Sequence, residues 1–167
     1  SWGMLALAIQ TAGTWESVCL LEKKRLAAEV AWRGNKNETE KLLPNIVAVL
    51  KKGRKKWDDI GKILVVNGPG PFSAVRIGVT VANTLGFGLG AAVETLDART
   101  FWTARVPAEN AVLLLHAGGN FVYCAGEKIK PAILPIADVL ENLFKKTWPL
   151  LFYGDLTEDE MQLFKKL

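Results

Sequence analysis

The twelve residues from Asn67 to Gly78, N-G-P-G-P-F-S-A-V-R-I-G, constrain this chain most. They follow a short apolar run, Lys62–Asn67, and precede a stretch from Ile77 to Val93 that carries no charge. Alternating Pro and Gly fix a rigid turn, so the order must be strand, tight turn, then one helix from Phe72 to about Leu89. A phosphate-cradling loop is excluded: Pro69 and Pro71 have no N–H to offer, and no Gly-Lys-Ser/Thr follows. Gly78, Ala82, Gly86 and Gly90 place small residues at every fourth position. Such a strip admits a close neighbour, either within the same lobe or on a partner's helix.

The rest of the chain is organised around that unit. Met4–Ala12, Trp15–Glu22 and Leu26–Arg33 read as three strands, and the short separators Gly13-Thr14 and Lys23-Lys24-Arg25 make them an antiparallel meander. Asn37 with Glu40 has the form of a capping box. Leu42, Leu43, Ile46, Val49 and Leu50 then recur at helical spacing to Gly53, with Pro44 inside where it should kink the helix. A strand near Ala92–Glu94 and a short helix from Leu96 to about Ala104 complete an N-terminal lobe, residues 4–105. A second, smaller lobe, 106–167, holds a hairpin (Val112–His116 and Phe121–Ala125 around Gly118-Gly119-Asn120) and a helix over Ile136–Lys145. A strand over Leu150–Tyr153 and a helix opening at Thr157 with Met161, Phe164 and Leu167 follow. Residues 1–3 read as a vector-derived remnant ahead of a native start at Met4. Both halves begin with a hairpin and continue with helices.

Composition narrows the function classes. A chain of 167 residues that is 50% hydrophobic and 23% charged has too much apolar material for a disordered segment. Cys19 and Cys124 sit in apolar runs without disulfide or zinc spacing, which favours a reduced, cytoplasmic setting with no export signal. The uncharged stretch raises a membrane span, but its glycines with Thr80, Asn83 and Thr84 favour a helix packed on protein. Net charge is +4, with cations concentrated in Lys51, Lys52, Arg54, Lys55 and Lys56 and in Lys23, Lys24 and Arg25. The larger run is either a solvated helix end or a contact for the phosphates of an RNA; Trp57 beside it reads as cover for apolar surface. Ser17, Ser73 and the cysteines lack a base, because the single histidine, His116, has no oriented acid in view. His116 has no second ligand for a metal either. Asp58, Asp59 and Asp97 read as loop and cap residues.

Gly68-Pro69-Gly70-Pro71-Phe72-Ser73-Ala74-Val75-Arg76-Ile77-Gly78 resembles G-P-G-S-F-T-G-[LV]-R-I-G, the signature of the bacterial TsaB family. It departs at Pro71, Ser73 and Ala74. The opening L-A-L-A-I-Q-T-A is similar to the family's L-A-I-D-T-A, E-T-E-K-L-L-P-N-I to S-E-x-L-L-P-x-I, and L-L-L-H-A-G-G-N-F-V-Y to A-x-x-D-A-R-x-x-E-V-Y. The likeness runs from Met4 to about Ala125 and thins beyond.

The resemblance implies an α/β architecture, the two-lobed fold of the actin, sugar-kinase and Hsp70 ATPase group: mixed sheets with flanking helices, here with the second lobe shortened. Active members of that fold bring an acidic residue from each lobe's hairpin to nucleotide phosphates and metal. The matching positions here are Gln10 and His116, so a degenerate, noncatalytic site is expected, with no metal and no resident cofactor. ATP or ADP at a partner interface stays open. A single histidine also fails the paired-histidine metal site of the sister enzyme, TsaD. By resemblance the chain is a scaffold that binds and stabilises TsaD in the cytoplasmic complex that puts threonylcarbamoyl on an adenosine beside the tRNA anticodon. The helices expected to meet TsaD, or a second copy of the chain, carry Leu42, Leu43, Ile46, Val49, Leu50, Phe72, Arg76, Gly78, Ala82 and Gly86. Gly68, Pro69 and Gly70 form the turn between strand and helix. The competing readings are an active small-molecule kinase or ATPase of the same fold, and a stand-alone homodimeric binding protein.

Overall fold

The expected meander is present and opens a five-stranded sheet. The computed structural model describes residues 4–104, 110–145 and 151–166. The leader 1–3, the lobe boundary at 105/106, Leu150 at the start of the expected strand and Leu167 lie outside the described residues. Strands β1 (Leu5–Gln10), β2 (Trp15–Glu22) and β3 (Arg25–Arg33) run antiparallel in sequence order. After helix α1 (Glu38–Gly53), β4 (Ile60–Val66) joins parallel to β1; after α2 (Phe72–Leu89), β5 (Ala92–Leu96) joins parallel to β4. The order is β3-β2-β1-β4-β5.

Alternation along β1 decides the layering, since successive side chains point to opposite faces. Leu5, Leu7 and Ile9 point into the core under α1 and α2, together with Val18, Leu20, Ile63 and Val65. The other face, with Ala8 and Gln10, looks toward the second lobe. A short helix α3 (Ala98–Thr103), capped by Asp97 accepting the Arg99 N–H at 2.7 Å, leads out of the sheet.

The second lobe repeats the plan. β6 (Ala111–His116), β7 (Phe121–Gly126) and β8 (Ile129–Pro135) are antiparallel neighbours, and β9 (Leu151–Asp155) joins parallel to β6, giving β8-β7-β6-β9. Helices α4 (Ile136–Phe144) and α5 (Glu158–Phe164) cover one face, where Val139, Leu143 and Phe164 meet Val112, Leu114, Val122 and Cys124. On the opposite face Leu113, Leu115 and Tyr123 pack against Ala98 and Trp102 of α3.

Three local expectations need correction. β8 lies where no strand was expected; its Pro131 and Pro135 are accommodated because β8 is an edge strand, where a missing N–H costs no ladder bond. The Asn37/Glu40 box does not form: Asn37 precedes α1 without a side-chain cap, and its Oδ1 faces the Asn35 N–H at 3.4 Å. As expected, α1 runs on through Pro44 to Gly53; Pro44 lies on the exposed side, where the carbonyl it leaves without a donor can meet water. β9 extends two residues beyond Tyr153, which brings Asp155 to the strand end.

Candidate functional site

Two surfaces carry the residues singled out by sequence: the α1/α2 layer and the cleft between the lobes. On α1 and α2 the structure divides the ten candidate interface residues. Leu42, Ile46, Val49 and Leu50 are buried on the sheet, as are Gly78, Ala82 and Gly86 of α2. A Cβ on Gly78 would collide with Thr11 Oγ1, and one on Gly86 with Val93 Cγ2. These seven residues therefore belong to the lobe's own packing, on the side of the helices turned to the sheet, whereas the sequence reading had set them at a partner interface. Helical period identifies which residues share a face, not whether that face points to the sheet or away from it.

Leu43, Phe72 and Arg76 remain outside. With them on the outer sides of the two helices stand Val47 and Phe87, neither flagged by motif; Phe72 is 74% and Phe87 94% exposed. Arg76 places its guanidinium 5.6 Å from the centre of the Phe72 ring, a cation–π contact that makes the pair one raised feature at the start of α2.

The Gly68-Pro69-Gly70 turn knits the first hairpin to α2. Gly68 has φ +108°, and a Cβ on Gly70 would lie 2.5 Å from the Ala12 carbonyl oxygen, so both glycines answer to backbone geometry. The buried Thr11 hydroxyl donates to the Ala74 carbonyl at 2.7 Å, and the Ala98 N–H donates to the Gly68 carbonyl at 2.8 Å.

Between the lobes lies a cavity of about 410 Å³, mostly apolar, walled by Leu64, Leu96, Phe101, Trp102 and Leu115, with Gln10, His116 and Asp155 at its polar end. Gln10 is spent on its own hairpin: its Oε1 accepts from the N–H groups of Ala12 and Gly13, and its Nε2 donates to the Trp15 carbonyl at 2.9 Å. A carboxylate could make the first two bonds but not the third. His116 does have an acid partner, which its sequence neighbourhood did not reveal: Nδ1 lies 2.6 Å from Glu160 Oε1. Burial pushes the Glu160 carboxyl up, but the hydrogen bonds from His116 and from Thr157 outweigh it and hold the group below the usual carboxylate range.

Asp155 was missed outright, because the expected strand stopped at Tyr153. Its Oδ2 accepts the Thr14 N–H at 2.7 Å and its Oδ1 the Thr14 hydroxyl at 2.6 Å, bridging residues 141 apart in sequence. The one readable signal was Gly154-Asp155 at the end of an apolar run. The cleft does not fit the magnesium nucleotide that the fold group implies. Gln10 is engaged in its turn, and a phosphate at the hairpin would have to displace a carboxylate from the Thr14 N–H. Among the described residues no three His, Cys, Asp or Glu side chains converge as metal ligands.

A second acid pair escaped sequence reading. Glu16 is fully buried at the α1–sheet junction, and its Oε2 accepts the Trp32 Nε1–H at 2.7 Å. Burial, together with the neighbouring Glu38 carboxyl, pushes the Glu16 carboxyl up to about 8. In the basic run, Lys51, Lys52, Arg54 and Lys56 are exposed, while Lys55 Nζ pairs with Glu22 Oε1 at 2.7 Å. Trp57 packs on the lobe core, covering apolar surface as expected. Asp59 accepts the Lys56 N–H at 2.7 Å, a loop role like that of Asp97.

By length and composition α2 could cross a membrane; here its small-residue face is packed on the sheet.

Residues 32–160 match the family model described as TsaD: tRNA N6-adenosine threonylcarbamoyltransferase. The chain is 32% identical to the tRNA threonylcarbamoyladenosine biosynthesis protein TsaB of Bacillus subtilis over 173 aligned positions, 97% of this chain and 76% of that one. It is 30% identical to the protein of the same name from Buchnera aphidicola, over 89% of this chain and 74% of that one. The likeness thus continues well past Ala125, where the motifs had thinned. Among solved structures, YeaZ from Pseudomonas aeruginosa superposes with a TM-score of 0.67 over 98% of this chain and 91% of its own, at 20% identity. That is the fold expected from the motifs.

Proposed function

The chain belongs to the TsaB family, and from that premise we propose that it serves tRNA threonylcarbamoyladenosine biosynthesis as a noncatalytic partner that binds and stabilises TsaD. The observation that carries this reading is the outer surface of α1 and α2. Leu43, Val47, Phe72 and Phe87 stand exposed on two long helices whose inner faces are already sealed on the sheet. An apolar centre with few charges, on rigid helices, is what a stable helical interface is built from. Arg76, beside them at the start of α2, is held against Phe72 and suits a hot-spot role.

The cleft supports a role without turnover. Gln10 closes its own turn, Asp155 is bonded to Thr14, and the single histidine is paired with Glu160. This chain supplies surface in a cytoplasmic assembly, and the transfer chemistry resides in TsaD.

The test is size-exclusion chromatography with light scattering, on the chain alone and mixed with TsaD from the same source. Leu43→Asp and Phe87→Asp, both outward, are expected to weaken the heterodimer more than tenfold while leaving the melting midpoint unchanged. A wild-type chain that never associates with TsaD over a micromolar range defeats the proposal. Self-association abolished by the same variants would instead assign the face to a homodimer.

A further inference from the structure

The sequence holds two separate basic clusters, and the fold makes them one. The end of α1 lies across β2 and β3: a Cβ on Gly53 would come within 2.7 Å of Leu20 Cδ1, Lys52 Nζ donates to the Glu29 carbonyl at 2.9 Å, and Lys55 Nζ reaches Glu22 at 2.7 Å. Lys23, Lys24 and Arg25 at the β2–β3 turn therefore join Lys51, Lys52, Arg54, Lys55 and Lys56 on one edge of the lobe. Eight of the chain's 21 Lys and Arg residues are gathered there. All but Lys55 are exposed.

Backbone geometry adds an independent observation. Lys23 and Lys24 occupy the two central positions of a two-residue hairpin at φ 50° and 64°, where Asn-Gly is the favoured pair. Arg54, which follows α1, sits at φ 55°, where Gly is the usual residue. Among the described residues, five other than glycine have positive φ, and three of them are cations of this one edge. L-residues with side chains adopt this conformation at a cost that Gly avoids. Conformation argues against Lys and Arg at all three positions, so what they contribute there is their charge.

Resting on the reading that the chain serves tRNA modification, we propose that this edge, formed by the β2–β3 turn and the end of α1, binds the phosphate backbone of RNA. Its chemistry favours a polyanion over a protein partner. Six of the eight cations are lysines, which are depleted at protein interfaces and suit the tracking of a phosphate backbone. Trp57, the aromatic beside them in sequence, is packed on the core and offers no stacking platform, so the contact reads charge and shape and not sequence.

The experiment measures binding of a fluorescent tRNA transcript to the full chain by anisotropy across a salt series, beside thermal melts. The triple variant Lys23→Asn, Lys24→Gly, Arg54→Gly supplies the residues the backbone prefers while removing three charges. It should melt about 2–4 °C higher, bind tRNA roughly tenfold more weakly at low salt, and show a log K against log salt slope shallower by roughly 2–3 units. Lys51→Gln, in a regular helical position, should weaken binding with no change in melting.

Unchanged affinity in both variants, or absence of tRNA binding at low salt, overturns the proposal. So does binding to vesicles of phosphatidylcholine and phosphatidylserine in place of RNA. Association with TsaD, measured separately, separates the two ideas: a chain that binds TsaD but not tRNA defeats this one alone, and the reverse defeats the partner role alone.

Discussion

The two lobes share a strand plan and differ in how they close it. The N-terminal lobe has five strands under helices of 16 and 18 residues; the second has four strands under helices of 9 and 7. Long helices seal one face and still present a second, so the first lobe keeps an outer layer with apolar side chains to spare. Helices of two turns have little independent stability and hold only through packing. The second lobe therefore depends on its neighbour, whose α3 covers the far side of its sheet through Ala98 and Trp102. One lobe is a platform, and the other is an addition closed onto it.

Core truncations should break that comparison if it is wrong. Ile46→Ala and Leu114→Ala each remove a fully buried branched side chain and should each cost about 2–5 kcal/mol locally. The expected difference is in reach. Ile46→Ala lowers protection of both lobes in amide hydrogen exchange, because the second loses its support. Leu114→Ala speeds exchange in β6, β7 and β9 and leaves β1 and β4 at their original rates. Equal acceleration in both lobes from Leu114→Ala would mean that they unfold as one unit and that the dependence runs both ways.

The platform also carries a weakness that the second lobe lacks. Glu16 ionises near 4.5 when unfolded and near 8 when folded. Between those values the native state holds the extra proton, so stability is fully present below about pH 4.5 and declines as pH rises through 8. The opposite holds for Glu160, whose depressed carboxyl favours folding above the usual carboxylate range and loses that contribution in acid. Glu16→Gln keeps an acceptor for Trp32 and offers Glu38 a donor. It should remove most of the slope and raise stability at pH 8 by roughly 2–4 kcal/mol, read from urea midpoints at pH 5 and 8. A wild-type chain equally stable at both would place no shared proton at this junction.

These particulars also mark how far the sequence could be read. The meander, the strand-turn-helix unit, α2 and the second hairpin were all legible, because alternation, helical period and Pro-Gly punctuation act locally. So was the fold group, through the motif from Gly68 to Gly78. What failed depended on the third dimension. The inward direction of Leu42, Ile46, Gly78 and Ala82 follows from which side the sheet lies. The pairing of His116 with Glu160 spans 44 residues and that of Thr14 with Asp155 spans 141, and neither has a spacing to recognise. β8 carries prolines that only an edge position excuses, and the burial of Glu16 against Glu38 of α1 joins residues 22 apart, to which no local spacing points.

The smallest effects sharpen the junction between the lobes, which the Thr14–Asp155 and Arg33–Glu158 links cross. Thr14 gives Asp155 two short bonds in a partly buried setting, whereas Arg33 and Glu158 approach only to 3.7 Å with side chains 55% and 79% exposed. A charge-assisted bond to a backbone N–H that water reaches poorly is worth far more than a solvated ion pair, whose attraction is largely screened. Asp155→Ala leaves the Thr14 N–H without its acceptor and should cost about 1–2 kcal/mol, with faster exchange at Thr14. Arg33→Ala should stay within about 0.5 kcal/mol, an effect further reduced by salt. If instead Arg33→Ala costs as much as Asp155→Ala, the lobes are held by long-range charge across their rim. In that case closure of the second lobe onto the platform should weaken steadily with ionic strength, which the Thr14–Asp155 bonds would otherwise resist.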